Sequence, residues 1–228
     1  MESKINVDAK GILKTKKPQV ALTFDDGPSE HSLRILDTLE KYKARATFFV
    51  LGKNFSAKVS AKERQTIKRT FDMGSEVISH SWSHCKNPNL SQLDAEEIKK
   101  ELLETAEAIR GVVGVSPKMF RPPYGAVSET LRSVADELGL AIILWSLDAW
   151  DWRSQNASEI YDEIFSKLHD NAVILCHDVY SSTAEAMERV IPDLLETYEL
   201  VTVSELMRNT GVTPGAGVIF PQIKNGLV

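Results

Sequence analysis

The sequence is poor in cysteine and has no long apolar run. Its two cysteines, Cys85 and Cys176, are too few for a disulfide framework, so we expect two buried thiols. No stretch approaches the roughly 18 apolar residues that a membrane-spanning helix requires, so no transmembrane segment is expected. The chain therefore depends on a hydrophobic core, for which its 228 residues and 43% hydrophobic content are sufficient.

An excess of positive charge is also missing. Lysine and arginine number 27 against 32 acidic residues, which gives a net charge of -5 and argues against a nucleic-acid partner. The polar first ten residues have no secretory signal core. The chain is therefore either cytoplasmic or a mature or trimmed domain that acts outside the cell. We expect a monomer in either case.

Strand and helix patterns alternate about seven times, which predicts one α/β domain with a parallel sheet. We expect a lead-in segment over residues 1–17, the domain over 18–208 and a Gly- and Pro-rich tail over 209–228, packed on the surface of the domain. Ser91 is predicted to cap a long helix that ends near Arg110, with Gly111 just beyond it. A strand is expected over residues 140–145. Periodicity leaves a closed barrel and an open doubly wound sheet both possible.

Chemically useful side chains follow several of the predicted strands. In parallel α/β folds the active site lies at the carboxyl ends of the strands. Three of the five histidines fall at these positions. The residues concerned are Asp25, Asp26, His80, His84, Arg121, Asp148 and His177.

His80 and His84 are four residues apart, so both imidazoles can reach one ion. With one carboxylate of the Asp25–Asp26 pair they form a set of three protein ligands, which is typical of hydrolytic zinc sites. The same ligand types also hold non-haem iron in oxygenases. The alternative interpretation of the aspartates is a turn-capping pair.

A hydrolase also needs a base and an acid, and the remaining aspartate and His177 suit these roles. Arg121 beside a carboxylate would keep it ionised, and Asp148 is predicted to hydrogen-bond His177 and favour its acid form. The structural alternatives are a capping carboxylate, a core histidine and a surface ion pair. Trp145, Trp150 and Trp152 suit core positions or a platform for a sugar ring.

These motifs, in this order, resemble those of a known family. They are Thr-Phe-Asp-Asp-Gly-Pro at 23–28, His-Ser-x-x-His at 80–84, Arg-x-Pro-Tyr at 121–124, Asp-x-x-Asp-Trp at 148–152 and Leu-x-His at 175–177. The resemblance is to the polysaccharide deacetylases with a NodB homology domain, carbohydrate esterase family four, and covers about residues 18–208. It implies a distorted (β/α)7-type barrel that binds a divalent metal, usually Zn2+, with Co2+ or Ni2+ as substitutes.

The resemblance also implies roles for individual residues. Asp26, His80 and His84 would hold the metal, Asp25 would be the general base and His177 the general acid. Arg121 would pair with Asp25, and Asp148 would tune His177. The residues implied in substrate binding are Tyr124, through its backbone N–H, its neighbour Pro123, and Leu175 and Trp152, which would wall a pocket for the acetyl methyl group.

The implied reaction is hydrolysis of the N-acetyl group from N-acetylglucosamine units of a polysaccharide. Peptidoglycan is the first expectation, followed by chitin or chito-oligosaccharides and then acetylxylan. A cell-wall substrate makes an extracellular or cell-wall location the expectation, although the sequence does not exclude the cytoplasm. A catalytically silent sugar-binding relative and an iron oxygenase are the competing hypotheses from other classes.

Overall fold

A single sheet organises the computed structural model of the protein, which describes residues 17–56 and 61–222. Its strands are β1 Gln19–Asp25, β2 Thr47–Val50, β3 Glu76–Ser79, β4 Met119–Phe120, β5 Ala141–Ile143, β6 Leu147–Asp148, β7 Val173–His177, β8 Glu199–Leu200 and β9 Ile219–Phe220. The helices are α1 Ser32–Lys41, α2 Ala61–Asp72, α3 Ala95–Val113, α4 Glu129–Glu137, α5 Asp151–Ser154, α6 Ala157–Lys167, α7 Ser181–Thr197 and α8 Val203–Asn209.

The strands are ordered β6-β7-β1-β2-β3-β4-β5-β9, and β8 pairs with the start of β1. Every strand pair is parallel, and the sheet curls into a half-barrel surrounded by helices. The predicted parallel α/β fold of the barrel type is therefore confirmed. Because the strands are parallel, their carboxyl ends all meet at one edge.

Strand β1 is buried on both faces. Leu22 and Phe24 point outward and join a core cluster shared with α1, α6 and α7, whereas Ala21 faces the inside of the curl. Since side chains alternate along a strand, Thr23 and Asp25 face inward as well. The inner face thus changes from apolar to polar toward the carboxyl end of β1.

Helix α8 lies at the opposite end of the curl. Val203 N donates to Thr47 Oγ1 and Ser204 N donates to Glu76, and these acceptors are the first residues of β2 and β3. Leu206 and Met207 of α8 pack into the inner cluster. One end of the half-barrel is therefore filled by apolar side chains, and polar chemistry is left to the other.

The predicted bounds of α3 were wrong. Ser91 lies in a short 3-10 turn, and the helix begins after Asp94, whose side chain accepts from Glu97 N in a capping box. Gly111 lies inside the helix, which ends at Gly114 in the left-handed conformation (φ 83°). A second capping box just upstream, at Asn89, competes for the same sequence signal.

The strands differ from expectation in two places. Strand structure at 140–145 is limited to β5, and a separate short strand, β6, pairs with β7. The tail contributes β9, which pairs with β5, so it extends the sheet instead of only covering it. Residues 223–228, the lead-in up to residue 16 and residues 57–60 lie outside the described ranges.

The described helices contain no candidate for a membrane span, since none is both long and apolar enough. Both cysteines are free thiols; Cys176 is buried as expected, whereas Cys85 is only half-buried.

Candidate metal centre and acid–base site

The register of the sheet brings the predicted site residues together. Asp25 at the end of β1 lies directly beside His177 at the end of β7. Ser79 of β3 pairs with Phe120 of β4, so the residues that follow them, His80 and Arg121, leave the sheet side by side. Four polar side chains from four strands thus meet at the carboxyl edge.

The two adjacent aspartates have different surroundings because the chain turns between them. Asp25 ends the strand and is 3% exposed, whereas Asp26 has a φ of 76°, in the left-handed region. Gly27 follows so close to a neighbouring loop that an added Cβ would lie 2.3 Å from the Asp178 carboxylate. The turn directs Asp26 toward His80 and His84 and keeps Asp25 on the inner face of the half-barrel.

Asp26, His80 and His84 offer ligand atoms that all lie within 4.8 Å of one another. Asp26 Oδ1 is 3.5 Å from His80 Nε2 and 3.4 Å from His84 Nε2. This carboxylate oxygen is buried and has no hydrogen-bond donor among the described residues. A buried anionic oxygen between two imidazole nitrogens suits a divalent cation, and one carboxylate with two imidazoles is a donor set for Zn2+ or Co2+. The residues present therefore fit the metal that the family resemblance implies.

His80 has the tautomer that a metal ligand needs. Its Nδ1 lies 2.8 Å from the Arg121 carbonyl oxygen, which can only accept, so Nδ1 carries the proton and Nε2 presents a lone pair toward Asp26. Burial lowers the pKa of His80 to about 3. The nearby Asp26 raises this pKa and His84 lowers it, but both effects are smaller than that of burial. The imidazole is therefore neutral at physiological pH.

Arg121 is fully buried and holds Asp25. Its Nη1 donates to Asp25 Oδ1 at 2.7 Å and to Thr23 Oγ1 at 2.8 Å. The guanidinium carbon of Arg121 lies 3.9 Å from the Phe49 ring centroid. The predicted contact between Arg121 and Asp25 is thus present. Burial raises the pKa of Asp25, whereas the charge and hydrogen bond of Arg121 lower it. Its other oxygen, Oδ2, lies 3.7 Å from His80 Nε2.

The predicted hydrogen bond between Asp148 and His177 is wrong, because Asp151 occupies that position. Asp151 Oδ1 lies 2.8 Å from His177 Nδ1, and Asp151 Oδ2 accepts from His177 N at 2.6 Å and from Thr183 Oγ1 at 2.7 Å. Asp151 is completely buried. Burial alone would lower the pKa of His177, but the hydrogen bond and charge of Asp151, aided by Asp25 and Asp26, raise it to about 9.

Asp148 instead stabilises the turn into α5. It accepts from Trp150 N at 2.8 Å, and Trp150 has a left-handed φ of 54° that reverses the chain. The first residue of α5, Asp151, then points back at β7. The sequence contained this residue within the Asp-x-x-Asp-Trp motif, but its spacing alone did not reveal which aspartate faces His177.

The residues expected to bind substrate have unequal exposure. Tyr124 and Trp152 are 47% and 45% exposed at the rim, and the Tyr124 ring stands edge-on to His84 at 4.7 Å. Leu175 is buried and precedes His177 by two residues on β7, so both point to the same face. Pro123 is buried and begins the 3-10 turn that contains Tyr124.

The arrangement combines a candidate cation site with two flanking proton-transfer groups. Asp25 is an oriented carboxylate on one strand, and His177 is an imidazole on the neighbouring strand whose surroundings favour its protonated form. Such a pair suits hydrolysis, in which one group accepts a proton from water and the other gives one to the leaving group.

Comparisons with known proteins agree with this geometry. The family model described as Polysaccharide deacetylase matches residues 13–143. The chain is 37% identical over 208 residues to the peptidoglycan-N-acetylglucosamine deacetylase PgdA of Listeria monocytogenes, covering 90% of this chain and 42% of that protein. It is 39% identical over 189 residues to the peptidoglycan-N-acetylmuramic acid deacetylase PdaC of Bacillus subtilis, covering 82% and 38%. The chain thus spans about two fifths of the length of these curated relatives.

Solved structures give the same result over whole chains. The family 4 acetyl xylan esterase from Clostridium thermocellum, in complex with a cobalt ion, is 33% identical with a TM-score of 0.81, covering 91% of this chain and 100% of that one. The structure of PdaC from Bacillus subtilis is 38% identical with a TM-score of 0.78, covering 86% and 92%.

Proposed function

The chain belongs to the polysaccharide deacetylase family, and on that premise we propose that it is a metal-dependent hydrolase of N-acetyl groups on a polysaccharide. One observation carries the proposal. A buried oxygen of Asp26 that lacks a hydrogen-bond partner among the described residues lies between His80 and His84. Asp25, held by Arg121, and His177, hydrogen-bonded to Asp151, flank it.

In the proposed mechanism Asp26, His80 and His84 would hold a divalent cation, which would supply Lewis acidity to the acetyl carbonyl and to water. Asp25 accepts the proton of the attacking water through Oδ2, while Arg121 holds its Oδ1 in place. The backbone N–H of Tyr124 donates to the carbonyl oxygen as negative charge develops there.

His177 completes the reaction as general acid. Asp151 accepts the hydrogen bond from Nδ1, so Nε2 is left to give its proton to the departing amine nitrogen. Acetate and a free amine are the products. Leu175 and Trp152 enclose the acetyl methyl group, and Pro123 supports the turn that presents Tyr124.

Zn2+ is the proposed native metal, with Co2+ and Ni2+ as substitutes. The donor set of two imidazoles and one carboxylate supports it. The cobalt ion in the related acetyl xylan esterase structure supports Co2+ as a working substitute.

The proposed substrate is peptidoglycan, at its N-acetylglucosamine units. The name of the PgdA relative supports this choice, and that of PdaC makes the N-acetylmuramic acid unit of the same polymer an outcome to test. Acetylxylan is the second candidate, since the acetyl xylan esterase matches over its whole length. Chito-oligosaccharides, the second expectation from the sequence, become the third candidate. A cell-wall substrate agrees with the proposed extracellular or cell-wall location, and a monomer is proposed.

Acetate release from peptidoglycan, N-acetylglucosamine oligomers and acetylxylan tests the function. Each substrate is incubated with metal-stripped protein and again after Zn2+ or Co2+ is restored. We expect metal-dependent acetate from peptidoglycan. Acetate from acetylxylan alone would overturn the substrate, and a protein that binds no metal and releases no acetate would be a silent sugar-binding relative. Turnover that requires iron and oxygen would indicate the oxygenase.

His80→Ala checks the ligand assignment in the same assay. We expect it to abolish metal binding and turnover, because the cation loses one of three protein ligands. The exposed His169 provides the control, and His169→Ala should leave both unchanged. Full metal occupancy in His80→Ala would refute the assignment.

A further inference from the structure

The loop over residues 81–84, here called the histidine loop, has an unusual backbone conformation. Ser81 has a φ of 71° and His84 a φ of 50°, both in the left-handed region that side-chain-bearing residues seldom adopt. Such a conformation persists only where surrounding contacts hold it. Since the loop carries His84, those contacts determine where one candidate metal ligand lies.

One side of the histidine loop is held through its carbonyl groups. Ser81 O accepts from Gly52 N and Trp82 O from Lys53 N, both at 3.1 Å, while Ser83 O accepts from Lys53 Nζ at 2.8 Å. The Trp82 ring lies so close to Gly52 that an added Cβ would approach it to 2.4 Å. The segment after β2 therefore fits against the loop with no room for a side chain at position 52.

The amide groups of the loop are held from the other side by one carboxylate. Trp82 N and Ser83 N both donate to Glu101 Oε2 at 2.9 Å. Glu101 is half-buried on α3. Consecutive amides that converge on a single charged oxygen form strong hydrogen bonds and fix the peptide plane between them. Within the loop, His84 N donates to Ser81 Oγ at 3.2 Å.

We propose that Glu101 is a positioning residue for the metal centre, which holds the histidine loop so that His84 faces Asp26 and thereby sets metal affinity. Glu101 is not itself among the grouped candidate ligands. It binds the backbone amides one and two residues before His84, whose Nε2 is 3.4 Å from Asp26 Oδ1. This inference rests on the metal role proposed above for Asp26, His80 and His84.

Co2+ affinity of the full chain tests the proposal independently of turnover. Metal-stripped wild type, Glu101→Ala and Glu101→Gln are titrated with Co2+ by calorimetry, and binding is also followed by visible absorption of the ion. Glu101→Ala leaves two amides without their acceptor, and loss of such supporting contacts weakens metal binding about 10–100-fold. Glu101→Gln retains a neutral acceptor oxygen, so its loss of Co2+ affinity should be measurable but smaller. Glu104, exposed on the same helix, gives the control Glu104→Gln, which should bind as wild type does.

The pattern across variants separates positioning from simple stabilisation of the fold. We expect the Co2+ absorption spectrum at saturation and kcat with excess metal to recover in Glu101→Ala, because the ligands themselves are intact. A lower melting temperature of the metal-free protein with an unchanged Kd for Co2+ would overturn the proposal. If Glu101→Ala fails to fold, an unchanged Kd in Glu101→Gln would overturn it equally. A wild-type chain that binds no Co2+ would instead refute the metal role on which the inference rests.

Discussion

At the scale of single residues, the covalent neighbours Asp25 and Asp26 are separated in function by their surroundings. Asp25 is buried against Arg121, whereas Asp26 turns through a positive φ and presents an unpaired oxygen to two histidines. Two carboxylates of equal intrinsic acidity thus become a candidate base and a candidate ligand. Neutralising Asp25 should therefore change turnover, whereas neutralising Asp26 should change metal binding.

Asp25→Asn should keep the metal and lose most turnover. Asparagine preserves the shape and can still accept from Arg121, but it cannot take a proton from water. We expect kcat to fall about 10^2–10^4-fold while the Kd for Co2+ remains similar. Asp162→Asn, at an exposed position on α6, is the matched control. Unchanged acetate release by a metal-loaded Asp25→Asn protein would remove Asp25 from the role of base.

Asp151→Asn should lower the pKa of His177, because Asp151 is the main group that raises it to about 9 against the effect of burial. The imidazolium is present below that pKa, so activity is lost as pH rises through it. Without the carboxylate, the alkaline limb of kcat/KM against pH should move to lower pH by about 1–3 pH units.

Asp148→Asn provides the comparison, since Asp148 bonds Trp150 N and not His177. It should move the alkaline limb much less than Asp151→Asn does. Direct NMR titration of the His177 ring in metal-free protein checks that Asp151→Asn lowers the pKa of His177 more than Asp148→Asn does. A larger effect from Asp148 than from Asp151 would contradict the hydrogen bond assigned to Asp151.

At the scale of elements, α3 links the core to the site. Leu102 and Ile109 bury one side of the helix, while Glu101 holds the histidine loop and Thr105 lies near Gly52 and Trp82. The helix begins at the Asp94 capping box and ends at a left-handed Gly114. Its fixed bounds matter for function because they place Glu101 opposite the loop amides.

Gly111 and Gly114 should respond oppositely to alanine. Gly111 lies within α3 with open space around its Cα, so Gly111→Ala should stabilise the protein by about 0.5–1 kcal/mol. Gly114 has a φ of 83°, and Gly114→Ala should destabilise it by about 1–2 kcal/mol. Urea unfolding of both variants beside wild type measures the free energies. Destabilisation by Gly111→Ala would contradict the observed helix bounds.

At the scale of the whole molecule, the parallel sheet makes a shared site from distant segments. Asp25 ends β1 and Asp26 follows it, His80 follows β3, Arg121 follows β4 and His177 ends β7. The half-barrel is filled by α8 at one end, so the polar groups gather at the other. A cation bound there would connect Asp26 with His80 and His84, which lie 54 and 58 residues further along the chain.

Metal binding should therefore stabilise the whole fold. At about 1,000 times Kd, the expected gain in the free energy of unfolding is ~4 kcal/mol. Thermal unfolding of metal-stripped protein with and without Zn2+ measures this as a higher melting temperature. His80→Ala should show no comparable rise. An equal rise in both proteins would locate the stabilising cation elsewhere.

The sequence by itself determined the alternation of strands and helices and the residues that follow each strand. Both are local properties: apolar runs end at turn signals, and parallel strands then deliver their last residues to one edge. The parallel α/β class and the gathering of Asp25, Asp26, His80, His84, Arg121 and His177 could be predicted on that basis. The alternation alone did not distinguish a barrel from an open sheet, and the barrel was predicted from the family resemblance. Helix α3 was placed wrongly because two capping signals follow one another within six residues.

Only the tertiary structure decided which carboxylate hydrogen-bonds to which partner. Asp151, not Asp148, reaches His177 because the left-handed Trp150 reverses the chain and Thr183 of α7 holds the carboxylate. Likewise, β9 forms because Ile143 and Phe220 share an apolar cluster, although they lie far apart in the sequence. Such contacts depend on the direction of the backbone after a turn and on packing between distant segments, and neither is encoded in the spacing of a motif.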